Sequence, residues 1–195
     1  MPLSDLPNLA QHLARSRAIA RRYVVVNGFD GALTMLGLLT GFQLGQGVEL
    51  RVIIGACLGA AVALGVSGLT SAYLSEAAER RRALSELEAA MITDLSNSDQ
   101  DRAARVLPLF IALVNGLAPL IISLLIITPL WLAHGGVSLP LEPLTSAIAT
   151  AFLCIFGLGA FLGQVGGTSW LFSGLKTLLI ALATVLVILL LGGGP

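Results

Sequence analysis

Residues 23–44 read Tyr-Val-Val-Val-Asn-Gly-Phe-Asp-Gly-Ala-Leu-Thr-Met-Leu-Gly-Leu-Leu-Thr-Gly-Phe-Gln-Leu, an apolar run holding one charge, Asp30. As an α-helix rising 1.5 Å per residue, the run covers about 33 Å, the thickness of a bilayer's hydrocarbon core. The surrounding chain has the same character. Of its 195 residues, 56% are hydrophobic and only 11% charged, with a mean hydropathy of +0.91. A soluble domain carries about 25% charged residues, so this composition excludes one, and it equally excludes a disordered chain. Lys plus Arg and Asp plus Glu each number 11, which removes any charge-based case for a nucleic-acid partner.

Four more apolar runs follow, at residues 52–74, 106–132, 144–163 and 175–191. The third is interrupted by Pro119 and Pro129, and glycines or Pro140 punctuate the connections. The expectation is an all-α polytopic membrane protein of five transmembrane helices. With the N-terminus cytoplasmic, the inside segments are 1–22, about 75–105 and about 164–176, and they hold 10 of the 11 basic residues. Only Arg51 falls outside, so the positive-inside rule favours a cytoplasmic N-terminus and an external C-terminus in a cell membrane.

Two segments lie outside the spans. Residues 1–22 place Leu6, Leu9, Leu13 and Ala14 at helical spacing ahead of Arg15, Arg17, Arg21 and Arg22, with no apolar core of a secretory signal. They read as a cytoplasmic amphipathic helix on the membrane face, or as a frayed tail. The rest, 23–192, reads as the five-helix domain with a helical cytoplasmic insert at 75–105. Up to Leu95 that insert has no Gly or Pro and is rich in Ala, Leu, Glu and Arg. The second span should therefore continue as one helix into the cytoplasm. Leu84, Leu87, Met91 and Leu95 lie along one stripe that calls for a partner helix.

A carboxylate in hydrocarbon is costly unless paired, hydrated or protonated, so Asp30 must face protein or water. Asn27, Asp30, Thr34, Gly37 and Gly41 step by three and four and share one helix face. That face suits either an ion path beside a close helix contact or a polar packing seam. Ser67, Ser71 and Ser75 form a second polar stripe, and Asn115, beside Gly116 and Pro119, is a third polar intrusion. Glu76, Glu79 and Glu86 fall within one arc of the insert and are candidates to gather a divalent cation. The same residues can pair with Arg80 and Arg82 at i,i+3 or i,i+4. The isolated His12 and His134 form no metal site, and Cys57 and Cys154, within apolar runs, read as small hydrophobes.

With these residues in hand, the chain resembles the vacuolar iron transporter family. Gly28-Phe29-Asp30-Gly31-Ala32-Leu33-Thr34 is similar to that family's first-helix Asp-Gly motif, and Tyr73-Leu74-Ser75 to its second-helix exit. Asn115-Gly116-Leu117-Ala118-Pro119 sits where the family has Gly-Ala-x-x-Pro, and 157–176 looks like the end of its fourth helix and start of its fifth. The resemblance, over residues 21–192, implies a homodimer that exports Fe²⁺ or Mn²⁺ from the cytoplasm in exchange for protons. The metal is then a transported substrate, with no resident cofactor, and Asp30, Asn27, Thr34, Ser71, Glu76, Glu79 and Glu86 would meet it. Two Asp30 carboxylates across a two-fold axis would balance one divalent ion. The family's second-helix Met and Glu are replaced by Gly68 and Ala72. That departure keeps a second reading open, a related protein that carries a lipid or small solute. An enzyme is not expected. The CDP-alcohol phosphotransferases, which also have a first-helix Asp-Gly, need further intramembrane aspartates, and Ala32-Leu33-Thr34-Met35 follows here.

The orientation is checked by single-cysteine labelling in intact cells. A cysteine at Ser98 should react only from the cytoplasmic side and one at Gly136 only from outside.

Overall fold

A computed structural model describes residues 6–45, 47–92, 96 and 98–192, with the side chains of 6–20, 99 and 103 excepted. Asp94, Leu95 and the last three residues lie outside the described residues. The described chain forms five helices: α1 (Leu6–Leu44), α2 (Leu50–Met91), α3 (Asp99–His134), α4 (Pro143–Val165) and α5 (Trp170–Gly192). Each contains a stretch long and apolar enough to cross a membrane. The chain is a multi-pass, all-α membrane protein.

α1 contains 39 residues without a break. Residues 6–22 of the segment read as an amphipathic helix or a frayed tail form the first turns of α1. Between Asn8 and Asn27 there is no Gly or Pro to end a helix, and Ala, Leu and Arg favour one. α2 runs for 42 residues, about 63 Å, or twice the hydrocarbon thickness. Its final turns form the expected extension beyond the second span. The helix stops at Ile92, which adopts a left-handed conformation (φ 51°) and donates its N–H to the Glu88 carbonyl.

α3 starts at the cap Ser98, whose hydroxyl accepts the Asp101 N–H at 3.2 Å. It continues through Pro108, Pro119 and Pro129, so the interruptions expected at the last two are absent. Each proline forfeits a backbone hydrogen bond, and surrounding helices hold α3 together regardless. α5 begins at Trp170, five residues before the start of the apolar run at Leu175. Trp170 meets Phe156 of α4 edge-on, with ring centroids 6.4 Å apart, which brings the polar residues between them into the helix.

α3 is the hub: it pairs along α2 and also packs on α1 and α4, whereas α1 and α2 touch each other only lightly. Met35, Leu36 and Leu39 of α1, Cys57 and Ala61 of α2, Ile126, Ile127 and Leu130 of α3, and Ile155 of α4 form a fully buried core. Cys154 is half-buried, and both cysteines are free thiols. Outward, α5 presents Phe172, Leu175, Leu179, Leu186 and Leu190, an apolar face suited to lipid. On the α2 extension Leu87 and Met91 are exposed, so the stripe expected there has no partner within the described chain.

The α2–α3 pairing depends on glycine. A Cβ at Gly116 would lie 2.8 Å from the Leu69 Cβ and 2.9 Å from the Leu69 nitrogen, so the backbones meet without intervening side chains. Gly116→Leu should therefore lower stability by about 3 kcal/mol or more in denaturant titrations of the detergent-solubilised protein. Gly157→Ala, where a Cβ has nothing within 4 Å, should stay within about 1 kcal/mol of wild type.

Candidate cation site

The Asp-Gly pair of α1 divides its work between two directions. A Cβ at Gly31 would stand 2.6 Å from the Pro119 carbonyl oxygen and 2.9 Å from its Cα. α1 therefore lies directly on the α3 backbone at this turn, and only glycine permits it. Successive residues of a helix are turned by about 100°. With Gly31 against α3, Asp30 is directed away from the bundle, and it is exposed on the surface of the protomer.

One turn before Asp30, Asn27 is half-buried. Its Nδ2 donates to the Tyr23 carbonyl at 2.8 Å and to Oδ1 of Asn115 on α3 at 2.5 Å. Asn115, only 8% exposed, passes the connection on: its Nδ2 donates to the Gly68 carbonyl on α2 at 2.7 Å. The result is a polar chain through three helices, α1 to α3 to α2. Asn27 was expected as a cation ligand, but both hydrogens of its amide are committed to protein, leaving Oδ1 for any ligand role. Thr34, one turn beyond Asp30, is half-buried.

On α2, Ser71 is exposed and its hydroxyl donates to the same Gly68 carbonyl at 3.4 Å. Gly68 is tightly packed, since a Cβ there would be 3.0 Å from the Asn115 carbonyl oxygen. Asn27, Asn115, Gly68 and Ser71 thus form one connected set, which reaches α1 one turn before Asp30. Asn115 and Gly68 are the members that spacing arguments did not assign to the site. The signal for Asn115 was present, an amide alone in an apolar run, but its partners lie 88 and 47 residues away in sequence.

The insert carboxylates behave differently. Glu76 faces Arg80 at 3.6 Å and Glu86 faces Arg82 at 2.8 Å, both at i,i+4, while Glu79 is exposed. At the start of α3, Asp101 binds Arg105 through both oxygens at 3.1 and 2.9 Å. Among the described residues no group of three or more His, Cys, Asp or Glu side chains is placed to hold a metal ion. Glu76, Glu79 and Glu86 are therefore not gathered into a cage, and Asp30 brings a single carboxylate.

The chain is 28% identical over 169 residues to an uncharacterized protein of the archaeon Methanocaldococcus jannaschii, an alignment that covers 85% of each protein. No protein-family profile matches the chain, and no solved structure matches it.

Proposed function

We propose that this protein exports a divalent cation, Fe²⁺ or Mn²⁺, from the cytoplasm in exchange for protons, working as a homodimer with its N-terminus inside. The observation that supports this reading is Asp30, exposed on the protomer at a depth about nine residues into the apolar stretch that starts at Arg21. Lipid is a poor neighbour for a carboxylate, so a second copy covering this face would shield Asp30 from it. Gly41 lies three turns along the same face, with nothing within 4 Å of its Cβ position, and so leaves room for close helix approach. Two Asp30 carboxylates then offset one divalent ion, with oxygen ligands that suit Fe²⁺ and Mn²⁺. When the metal leaves, the carboxylates regain protons, which couples export to a pH gradient. Glu76, Glu79 and Glu86, on the helix that leads out of the second span, raise the local cation concentration without forming a fixed cage.

A second reading is favoured by one observation. Gly68 and Ala72 stand where the resembling family has side-chain ligands, and the Asn115 carbonyl fills the space at Gly68. A protein with this membrane domain and no metal activity would move a lipid or small solute instead. Metal uptake into proteoliposomes, with and without a pH gradient, separates the two.

In that assay Asp30→Asn should abolish pH-driven Mn²⁺ flux while the protein stays folded, because a neutral amide keeps the shape and removes both the charge and the titrating proton. Unchanged flux would reduce Asp30 to a packing residue. Gly41→Leu should convert dimers to monomers in detergent, read by light scattering, without lowering the stability of the protomer. A dimer as tight as wild type would place the contact elsewhere.

A further inference from the structure

We infer that Asn115 is a positioning residue for the Asp30 site, tying α1 to α2 through α3 and fixing the rotation of α1 that sets where the Asp30 carboxylate points. The inference rests on the cation-transport reading for its functional consequence, and on geometry for the tie itself. The Asn115 side chain is nearly buried and satisfied in two directions, accepting from Asn27 and donating to the Gly68 carbonyl. An amide is planar and its oxygen and nitrogen diverge, so these two bonds reach opposite neighbours. Its backbone takes part as well. Pro119 has no N–H to return to the Asn115 carbonyl, and that oxygen lies against Gly68, where a Cα–H contact is available.

α1 and α2 make little direct contact, so changes at one reach the other through α3. On α1 two contacts with α3 lie one turn apart. The Gly31–Pro119 contact sets how closely the helices approach, and it involves no side chain on α1 that would resist twisting. The Asn27–Asn115 hydrogen bond is directional and supplies that resistance. Asp30 lies between the two contacts in sequence, so its azimuth follows from them. Losing the bond removes this restraint at the Asp30 turn, while Met35, Leu36 and Leu39 keep α1 anchored further along, and the paired carboxylates no longer start in register.

The test is a double-mutant cycle in Mn²⁺ uptake by proteoliposomes, with hydrogen–deuterium exchange in nanodiscs as a readout that needs no transport. Asn115→Ala should raise the Mn²⁺ concentration for half-maximal uptake by about tenfold and leave the maximal rate within about twofold. A purely structural role would lower the amount of folded protein and leave the half-maximal concentration unchanged, which would overturn the assignment. Asn27→Ala should give a similar rise, and the double variant should be no worse than the stronger single one. Multiplying effects would make Asn27 an independent ligand and would also overturn it. Exchange should quicken around Asn27 and around Gly68 together in Asn115→Ala. Should wild-type protein carry no Mn²⁺, the transport reading fails and exchange alone decides the tie: coupled loss of protection on α1 and α2 upholds it, and unchanged protection on α1 overturns it. If Asn115→Ala does not fold, Asn27→Ala breaks the same bond from a half-buried position, with the same outcomes in exchange.

Discussion

Gly31 rests on the Pro119 carbonyl so closely that no side chain fits between them, and much of the molecule follows from that contact. It brings α1 onto the backbone of α3 and turns the neighbouring Asp30 out of the bundle. A membrane helix has no hydrophobic drive to join its neighbours, because lipid is as apolar as they are, so contacts of this kind depend on small residues and on hydrogen bonds. The protein supplies both within two turns, with Gly31 for proximity and Asn27 for direction. The consequence is an exposed carboxylate at membrane depth, with no ion pair among the described residues.

The same economy applies on the other side of α3. Gly116 meets α2 near Gly65 and Leu69, and Asn115 closes a hydrogen bond to Gly68. The Asn115–Gly116 step therefore serves α2 as the Asp30–Gly31 step serves α1, one residue for polarity and the next for contact. Between them Pro119 leaves α3 with the Asn115 carbonyl outside its own ladder, and this oxygen lies against Gly68 of α2. α3 is thus a helix whose sequence departs from the ordinary helical pattern where its neighbours compensate. Its continuity through three prolines is a product of the whole bundle.

The five helices were legible because each apolar run is long enough to span and is bounded by turn residues. The extension of α2 was legible from composition, and the Glu76–Arg80 and Arg82–Glu86 pairs from i,i+4 spacing. The boundaries read less well where tertiary contact decided them. Trp170 starts α5 early because it packs on Phe156, and α1 absorbs the basic segment because no residue stops it. Within the site, Asp30 stood out as a lone charge in an apolar run, and it is exposed on the protomer. Asn27 was read as a ligand, but its N–H groups serve Tyr23 and Asn115. A single run of sequence cannot show that pairing, since the partner belongs to another helix. Nor can it show whether a row of glycines faces a neighbour or open space: a Cβ at Gly37 would meet Ile188 at 3.7 Å, while one at Gly41 would have nothing within 4 Å.

The central claim is that two copies of this chain join at α1 and hold one divalent cation between paired Asp30 carboxylates. Native mass spectrometry of protein released from nanodiscs in the presence of Mn²⁺ measures chain number and metal number in the same particle. The account predicts dimers carrying one Mn²⁺ at low metal concentration, with that mass lost from Asp30→Asn dimers. Metal-free dimers, or monomers each carrying their own Mn²⁺, would contradict it.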